Sequence, residues 1–540
     1  MEADDGGPRV LGIEGTAWAG SAALYDARTG QVDIETEAYL PESGGIHPRE
    51  AAEHMADHLP DVVESMLQRA REEADREPPV DAVAFSRGPG LGPCLRLTGT
   101  TARALAQRLD VPLVGVNHMV AHLEIGRHQS GFESPVCLNA SGANAHVLGY
   151  RAGKYRVLGE TMDTGVGNAV DKFARHVGWS HPGGPKVEQA AKDGEYVDFP
   201  YVVKGMDFSF SGIMSAAKAA YDDGVPVEDV CHGLQENVFA MLTEVSERAL
   251  SLTDAEELVV GGGVGQNERL QEMLGSMCEQ RGADFFVPDN RFLRDNAGMI
   301  AVLGAKMYEV GDTLPIEESG IDSNFRPDEV QVTWRSGDER PVQVGQERTV
   351  KGAEATVSIE DGRVVKRRHS REYRHPQLDE RLRRERTRQE ARLTSEARRV
   401  GVPTPVVRDV DIARATLVFQ RVGERDLRDA LTEDKVRTVA RHLARIHSAG
   451  FVHGDPTTRN VRVGDDAGNT QVFLIDFGLG YYTRDAEDHA MDLHVLSQSL
   501  AGTTDSSDAL MGAVKSAYSE IGTDVVLDQL REIEGRGRYR

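Results

Sequence analysis

Short apolar runs closed by glycine alternate with longer stretches of helical periodicity through the first part of the chain. Val10–Glu14 reads as a strand closed by Gly15-Thr16, with Ser21–Tyr25 as its hairpin partner. Glu50–Glu73 repeats apolar residues at helical spacing. Val80–Phe85 predicts a strand entering the Gly/Pro-rich loop Ser86–Pro93, and Leu97–Leu109 predicts a helix. Val111–Val116 is the next strand, followed by a helix that carries His118 and His122. Pro135–Leu138 runs into Asn139–Asn144, and Glu257–Val260 runs into Gly261–Val264. Repeated strand, glycine loop and helix predict an α/β fold of the nucleotide-binding kind, with crevices where sheet and helix ends meet.

The pattern changes after Pro327. Asp328 to Arg348 is polar and without periodicity, and reads as a linker. From Val350 a second alternation begins: Lys351–Ala355, then Val364-Val365-Lys366, then a very basic helical segment from Arg371 to Arg399. The predicted organisation is therefore a first domain over residues 1–327, a linker over 328–348 and a second domain over 349–540.

Composition narrows the class. A chain of 540 residues with 28% charged and 39% hydrophobic residues is a folded protein of more than one domain. Cys94, Cys137, Cys231 and Cys278 are scattered with no CxxC pair, which argues against a disulfide framework or a zinc ribbon and predicts a reducing cytoplasm. The acidic start MEADDGGPR has no apolar core of a secretory signal, and no apolar run reaches the ~18 residues a membrane span needs. The net charge is −25, with arginine far in excess of lysine. Such a surface normally repels nucleic acid. Here it reads as adaptation to a salt-rich interior, where the Debye length falls to ~3 Å and local basic clusters count for more than total charge.

His118 and His122 stand four residues apart, so a helix presents both imidazoles on one face. Neutral imidazole is a common transition-metal ligand, and a third ligand must come from elsewhere in the chain. The competing reading is an ordinary pair of histidines on an amphipathic helix. A zinc peptidase would carry glutamate directly after the first histidine, where this chain has Met119.

In the second half, His453-Gly-Asp455, Asn460 and Ile475-Asp476-Phe477-Gly478 follow the order and spacing of a kinase catalytic loop and its metal-binding DFG. Asp455 is the candidate acceptor of a hydroxyl proton. Asn460 and Asp476 are the candidate oxygen ligands of Mg2+. Lys366 fits the lysine that neutralises the α- and β-phosphates of ATP. Glu390 is the candidate acid that holds it, with Glu385 as the alternative.

From about Val350 to Arg540 the segments KGAEA, VVKRR, YRHPQLDERLRRERTRQEARL, GVPTP, HGDPTTRN, IDFGLG and EDHAMDL resemble the small atypical Rio/PRPK-like kinases of the KEOPS complex. The resemblance implies a bilobal kinase fold whose nucleotide loop is Lys351, Gly352, Ala353, Glu354 and Ala355. That loop is no GxGxxG, Gly454 stands where most kinases have arginine, and no APE segment follows the DFG. ATP hydrolysis or self-phosphorylation thus fits as well as phosphorylation of serine or threonine in other proteins.

From about Val10 to Arg326 the segments LGIEGTA, SRGPGLGPCLRLTGTTARALA, PLVGVNHMVAHLE, GNAVDKFAR, HPGGPKVE, FSFSG, VVGGGVGQNERL and RDNAGMIA resemble the TsaD/Gcp family. The resemblance implies a two-lobed actin-like fold, akin to sugar kinases and Hsp70-like ATPases. It implies transfer of a threonylcarbamoyl group from L-threonylcarbamoyl adenylate to the exocyclic N6 amine of the adenosine 3′ of the anticodon in ANN-decoding tRNAs. It implies a bound Fe2+ or Zn2+ on His118, His122 and Asp295, and small KEOPS subunits as partners. The donor is expected on Asn139, Ala140, Ser141, Gly142 and Ala143, with Asp171, Gly184, Glu188, Gly262, Gly263 and Asn267 around its nucleotide. The family commonly has Tyr-Val-Ser-Gly-Gly where this chain has Asn139-Ala-Ser-Gly-Ala143, so the metal loses a tyrosine ligand and Asn139 offers only an amide oxygen. Residues that take the amine proton are not identifiable.

Two other functions are compatible with parts of the pattern. One is a regulatory serine/threonine kinase with the first half as scaffold. The other is a sugar kinase or chaperone-like ATPase, which would not need the HxxxH pair. Finally, Arg381 to Arg399 and the terminal Arg536, Arg538 and Arg540, with Tyr539 between the last two, form the basic clusters expected to meet tRNA phosphates and bases.

Overall fold

The computed structural model describes residues 7–39, 47–74, 76–142, 144–151, 153–335, 349–351, 355–360, 362–466 and 469–536. Its first half is one sheet plan used twice. Strand β1 (Arg9–Glu14) pairs antiparallel with β2 (Ala19–Asp26), which pairs with β3 (Gln31–Ala38). Parallel strands β4 (Ala82–Gly88) and β5 (Leu113–Asn117) extend the other side, in the order β3-β2-β1-β4-β5. The second sheet is built from β6 (Val136–Ala140), β7 (Ala145–Arg151) and β8 (Lys154–Glu160). A short hairpin of β9 (Val203–Lys204) and β10 (Asp207–Phe208) intervenes before β11 (Glu257–Gly261) and β12 (Asp284–Phe286) complete that sheet. Its order, β12-β11-β6-β7-β8, repeats the first with the same mixture of parallel and antiparallel pairs. This duplicated, mixed α/β plan is the two-lobed actin-like fold that the motifs imply.

Helices α1 (Pro48–Glu73) and α2 (Gly92–Leu109) cover the first sheet. Next come α3 (His118–Ser130), α4 (Val166–His176), α5 (Gly184–Ala191), α6 (Ser211–Asp222), α7 (Val227–Thr253), α8 (Glu268–Arg281) and the single turn α9 (Asn290–Leu293). Helix α10 (Ala297–Glu309) returns to lie against β1 and β4. That approach requires glycine at position 12, where a Cβ would stand 2.5 Å from the Ala297 carbonyl oxygen. Helix α3 starts directly at the end of β5. The Asn117 side chain accepts from the backbone N–H groups of Met119 and Val120, both at 3.0 Å, satisfying two donors that a helix start leaves free.

The second half is also two-lobed. Strands β13 (Thr349–Lys351), β14 (Ala355–Glu360), β15 (Arg363–Arg368), β16 (Val407–Asp411) and β17 (Thr416–Gln420) form one antiparallel sheet, crossed by α11 (Pro376–Arg399). Helices α12 (Glu433–Ser448), α13 (Ala486–Ala501), α14 (Ser507–Tyr518) and α15 (Asp524–Arg536) pack as the other lobe around its own apolar core.

Several expectations shift. Strand β4 continues to Gly88 and α2 begins at Gly92, so the loop expected over Ser86–Pro93 is only a few residues long. Pro93 sits in the first helical turn, where its missing N–H costs nothing. The basic helix starts at Pro376, not Arg371, because the residue before a proline is pushed out of helical geometry. Asn139 and Ala140 continue strand β6 instead of opening the loop. Gly535 and Arg536 belong to helix α15 instead of a loosened tail. The first residues of the expected linker pack on the first half: Val330 is buried, Val332 and Trp334 lie against the same core, and the Arg335 guanidinium sits 3.6 Å from the Tyr150 ring centre. Ala143, Gly352, Ala353, Glu354, Arg538, Tyr539 and Arg540 lie outside the described residues. Among the described residues, no helix is long and apolar enough to cross a membrane.

Candidate functional site

Strand β5 feeds α3 so that His118 and His122 lie together at the crevice, with ring centres 4.9 Å apart. Asp295, from the loop before α10, reaches both: its Oδ1 is 3.3 Å from His118 Nε2 and 3.2 Å from His122 Nε2. The three side chains thus converge two imidazole nitrogens and a carboxylate oxygen. Glu14, buried at the end of β1, accepts from His118 Nδ1 at 3.1 Å. Glu14 holds a proton on Nδ1 while Nε2 faces Asp295, the carboxylate–histidine arrangement common at metal sites once a cation takes the place of the Nε2 proton. Trp18 Nε1 donates to Asp295 Oδ2 at 2.9 Å and so turns Oδ1 toward the histidines.

Electrostatics sharpen this picture. Burial works against a charged His118, but Glu14 and Asp295 outweigh it and push the imidazole up to about 10. Burial opposes ionisation of Asp295 too, yet the two histidines hold it far below the usual carboxylate range. His122 is lowered by burial despite its bond to Asp295. His146, beside this group on β7, is driven down to about 3, chiefly by burial and then by His122 and His118, so it is neutral.

One buried polar atom supports a fit to a cation: Asn139 Oδ1 has no hydrogen-bond partner. Asn139 Nδ2 lies 3.4 Å from His146 Nε2, which keeps the amide oxygen free. Gly262, at φ +81°, passes so close that a Cβ would stand 2.4 Å from the Ala140 carbonyl and 2.6 Å from Asn139 Oδ1. The chain tolerates this approach because residue 262 is glycine.

A cavity of about 810 Å3 opens beside this cluster. His118, Asp295 and Asn139 line its inner end, and Ser141, Gly142, Asp171, Gly184, Glu188, Gly263 and Asn267 line the rest. Ala140 and Gly262 are not on the wall: the Ala140 side chain is in the core, and Gly262 braces the strand from behind. Asp171 accepts from the Gly183 N–H at 2.7 Å and pairs with His181 at 3.1 Å, which closes the loop before α5. Glu188 accepts from the Glu268 N–H at 3.0 Å, and Asn267 caps α8 through the Leu270 N–H at 3.2 Å. Both side chains therefore face the cavity with part of their hydrogen-bonding capacity already used.

The second half forms a separate centre. Lys366 Nζ lies 3.0 Å from Glu390 Oε1 and 2.6 Å from Asp476 Oδ1. Glu390 is buried, while Glu385 is exposed on another face of the helix, so the lysine has one partner on α11. Arg368 Nη2 donates to the other oxygen of Glu390 at 2.6 Å, a second cation on the same carboxylate. Asn460 Nδ2 donates to the Asp455 carbonyl and carboxylate, both at 2.9 Å, leaving its own oxygen for a cation. Asp476 has φ +64°, an uncommon backbone geometry of the kind that gathers at functional sites. Asp492 on α13 accepts from the N–H groups of His453 and Gly454 at 2.7 and 2.8 Å and holds the loop that carries Asp455. Lys351 and Ala355 bracket the turn between β13 and β14 on the same sheet as Lys366.

The two centres are joined by a buried ionic seam. Glu244 of α7 meets Arg374 at 2.6 Å, Arg386 at 3.0 Å and Arg248 at 2.6 Å, and the Tyr201 hydroxyl donates to it at 2.6 Å. Glu247, one turn on, meets Arg371 at 3.0 Å, and burial pushes its carboxyl up to about 7 against that pull. Arg381 pairs with Asp198 at 3.0 Å. Two arginines of the basic helix expected to face RNA, Arg381 and Arg386, are therefore engaged by the first half, together with Arg371 and Arg374 just before it. Desolvated arginines need close partners, and Glu244 supplies one carboxylate for several.

Glu14, Trp18, His146 and Arg368 belong to the two sites although they are not among the expected site residues. Glu14 lies in the segment LGIEGTA and Arg368 in VVKRR, whereas only neighbours in space mark Trp18 and His146.

Comparison with known proteins agrees with the geometry. A family model described as "TsaD: tRNA N6-adenosine threonylcarbamoyltransferase" matches residues 29–302, and one described as "Lipopolysaccharide kinase (Kdo/WaaP) family" matches residues 334–518. A protein of Haloarcula marismortui, described as a "probable bifunctional tRNA threonylcarbamoyladenosine biosynthesis protein", is 69% identical over 98% of this chain and 100% of its own length. Proteins with the same description from Halobacterium salinarum and Methanospirillum hungatei are 67% and 51% identical over 98% of this chain and 99% of theirs.

Proposed function

The chain belongs to the family of bifunctional tRNA threonylcarbamoyladenosine biosynthesis proteins, and from that premise we propose how its two centres divide the work. It is a tRNA threonylcarbamoyltransferase with a kinase-family domain attached. In our reading the donor is L-threonylcarbamoyl adenylate and the acceptor is the N6 amine of the adenosine 3′ of the anticodon in ANN-decoding tRNAs. The work is cytoplasmic and shared with small KEOPS subunits.

The observation that carries this reading is the His118, His122 and Asp295 cluster opening onto the cavity whose far wall holds Asp171, Glu188 and Asn267. Imidazole and carboxylate suit a transition ion such as Fe2+ or Zn2+, and the unpartnered Asn139 Oδ1 is a further oxygen beside them. A bound ion of this kind supplies Lewis acidity toward a carbonyl or phosphate oxygen. The residues do the rest. Ser141 and Gly142 hold the donor close to the backbone, and Asp171, Glu188 and Asn267 fix its nucleotide. A new bond forms between the adenine nitrogen and the carbamoyl carbon, the carbon–oxygen bond to AMP breaks, and the amine releases one proton to solvent. A poor nucleophile with a good leaving group makes orientation the main demand on the protein.

For the second centre we infer ATP with Mg2+, held by Asp476 and Asn460 and neutralised by Lys366, with Asp455 beside the attacking group. Its role in our reading is to drive or regulate the transfer cycle, with phosphorylation of serine or threonine as a second outcome. The test is transfer of labelled threonylcarbamoyl to tRNA by the purified chain, with and without companion subunits and ATP. No transfer under any of these conditions, with an intact fold, rejects the transferase reading. Full transfer by a metal-free His118→Ala, His122→Ala double variant rejects the metal assignment.

A further inference from the structure

A second cavity, of about 480 Å3, lies against the first and shares Trp18, Asn290, Arg294 and Asp295 with it. Its volume is in the ~300–1,000 Å3 range of small-molecule sites. None of the donor-binding positions lines it. Arg69 and Arg291 do, and each is about half exposed, at 48% and 52% of its side chain. With the exposed Arg294 they bring three guanidinium groups to one rim. The acids nearby are Asp33, paired with Arg69 at 3.1 Å, Asp289, 3.8 Å from Arg291, and the ligand Asp295.

The transfer needs two large reactants at one point. The donor takes the larger cavity, so an RNA base must arrive by another mouth that opens on the same carboxylate. Trp18 is the wall between the two. Its half-buried ring lines both spaces, its N–H is tied to Asp295 Oδ2, and the Arg294 guanidinium carbon sits 6.0 Å from the ring centre. Recognition of single-stranded RNA relies on bases unstacked onto aromatic rings, with arginines on the adjoining phosphates.

We propose that the second cavity receives the acceptor adenine, stacked on Trp18, with Arg69 and Arg291 on the flanking phosphates. This rests on the transferase reading above and assigns the site of its RNA substrate. It also gives Trp18 two separable tasks: a stacking face, and a positioning hydrogen bond to a metal ligand.

The experiment uses the full chain carrying Trp179→Phe and Trp334→Phe, so that Trp18 is the single remaining indole of the three. It is titrated by fluorescence with an anticodon stem-loop that has adenosine 3′ of the anticodon, with the same RNA carrying a pyrimidine there, and with AMP alone. The adenosine RNA is expected to quench Trp18 and the pyrimidine RNA to quench it less. The Arg69→Ala, Arg291→Ala pair is expected to weaken RNA binding ~10-fold and to flatten its salt dependence by about two phosphate contacts. Metal content and AMP affinity should stay unchanged. Trp18→Phe keeps a ring but loses the N–H, so in the chain with its other tryptophans intact it should retain RNA affinity while metal affinity falls ~10-fold. Quenching by AMP equal to that by RNA, or undiminished RNA affinity in the arginine pair, overturns the proposal by returning the cavity to the donor. If the parent chain transfers label yet Trp18 does not respond to RNA, this inference alone fails. If it neither binds RNA nor transfers label, both readings fail.

Discussion

The two centres differ in how they are assembled, and the difference follows the ions their side chains suit. The centre of the first half gathers nitrogen and oxygen donors from α3 and the loop before α10, braces one of them with Glu14 of β1, and buries most of this set. The centre of the second half draws mainly on oxygen donors from one loop system, Asp455, Asn460 and Asp476, with a lysine across from them. Borderline transition ions prefer imidazole, and their fixed geometry rewards a prearranged cage. Mg2+ prefers oxygen and keeps part of its water, so a more open set of carboxylates suffices. Under the proposed reading, the two halves would then compete little for the same ion.

The largest effect expected to break this comparison comes from the ligands. His118→Ala or Asp295→Ala should abolish stoichiometric transition metal and lower threonylcarbamoyl transfer by at least ~100-fold, since an absent Lewis acid is worth several kcal/mol. ATP hydrolysis should be unchanged. Metal analysis beside both assays checks this, and parallel loss of both activities in a folded variant would show that the centres are not independent. In the opposite direction, Asp455→Ala or Asp476→Ala should cut ATP turnover ~100-fold or more while AMP affinity of the first half is retained, as read by equilibrium dialysis.

The seam between the halves sharpens the comparison. Glu244→Gln leaves Arg248, Arg374 and Arg386 buried against a neutral amide, and should cost about 3 kcal/mol. Calorimetry should then resolve two transitions where the parent shows closer coupling. A single unshifted transition would mean that the seam contributes nothing.

A smaller effect is set by pH. Burial lowers His442 in the second half to about 4. The unfolded chain takes up this proton near pH 6.5 while the folded chain does not until about 4, so stability falls as pH drops through that window, by at most about 3 kcal/mol. His442→Gln should flatten the acid slope of the second half. His146, lowered to about 3, should keep the slope of the first half. Domain-resolved hydrogen exchange at pH 7 and pH 5 separates the two, and an unchanged slope in the variant would count against His442. The smallest effect concerns the terminus: removing Arg536–Arg540 should weaken tRNA binding a few-fold with basal ATP hydrolysis intact. Superimposable binding curves at low and high salt would leave that end of α15 without a role in RNA.

Local periodicity made a good part of the molecule legible. Spacing alone put His118 and His122 on one helical face, and order alone joined Lys366, Asp455, Asn460 and Asp476 into a kinase-like set, because each depends on neighbours a few residues away or on a fixed order of short segments. Glu390 is the sequence candidate with Glu385 as its alternative, and the packing of α11 separates them by burying the first and exposing the second. Asp295 entered only through family resemblance; nothing within its own segment separates it from any solvated carboxylate.

What tertiary structure decided was every partnership across long stretches of chain. Trp18 reaches Asp295 over 277 residues, and Arg386 reaches Glu244 over 142. Within the basic helix read as an RNA surface, Arg381 and Arg386 dock on the first half, since an arginine's sequence context says nothing about whether it will be desolvated. The physical reason is that hydrogen bonding along the backbone and side-chain periodicity are local, whereas burial is not. A charged group's role is set by what excludes water around it, and that depends on which sheet edges and helix faces the whole fold brings together.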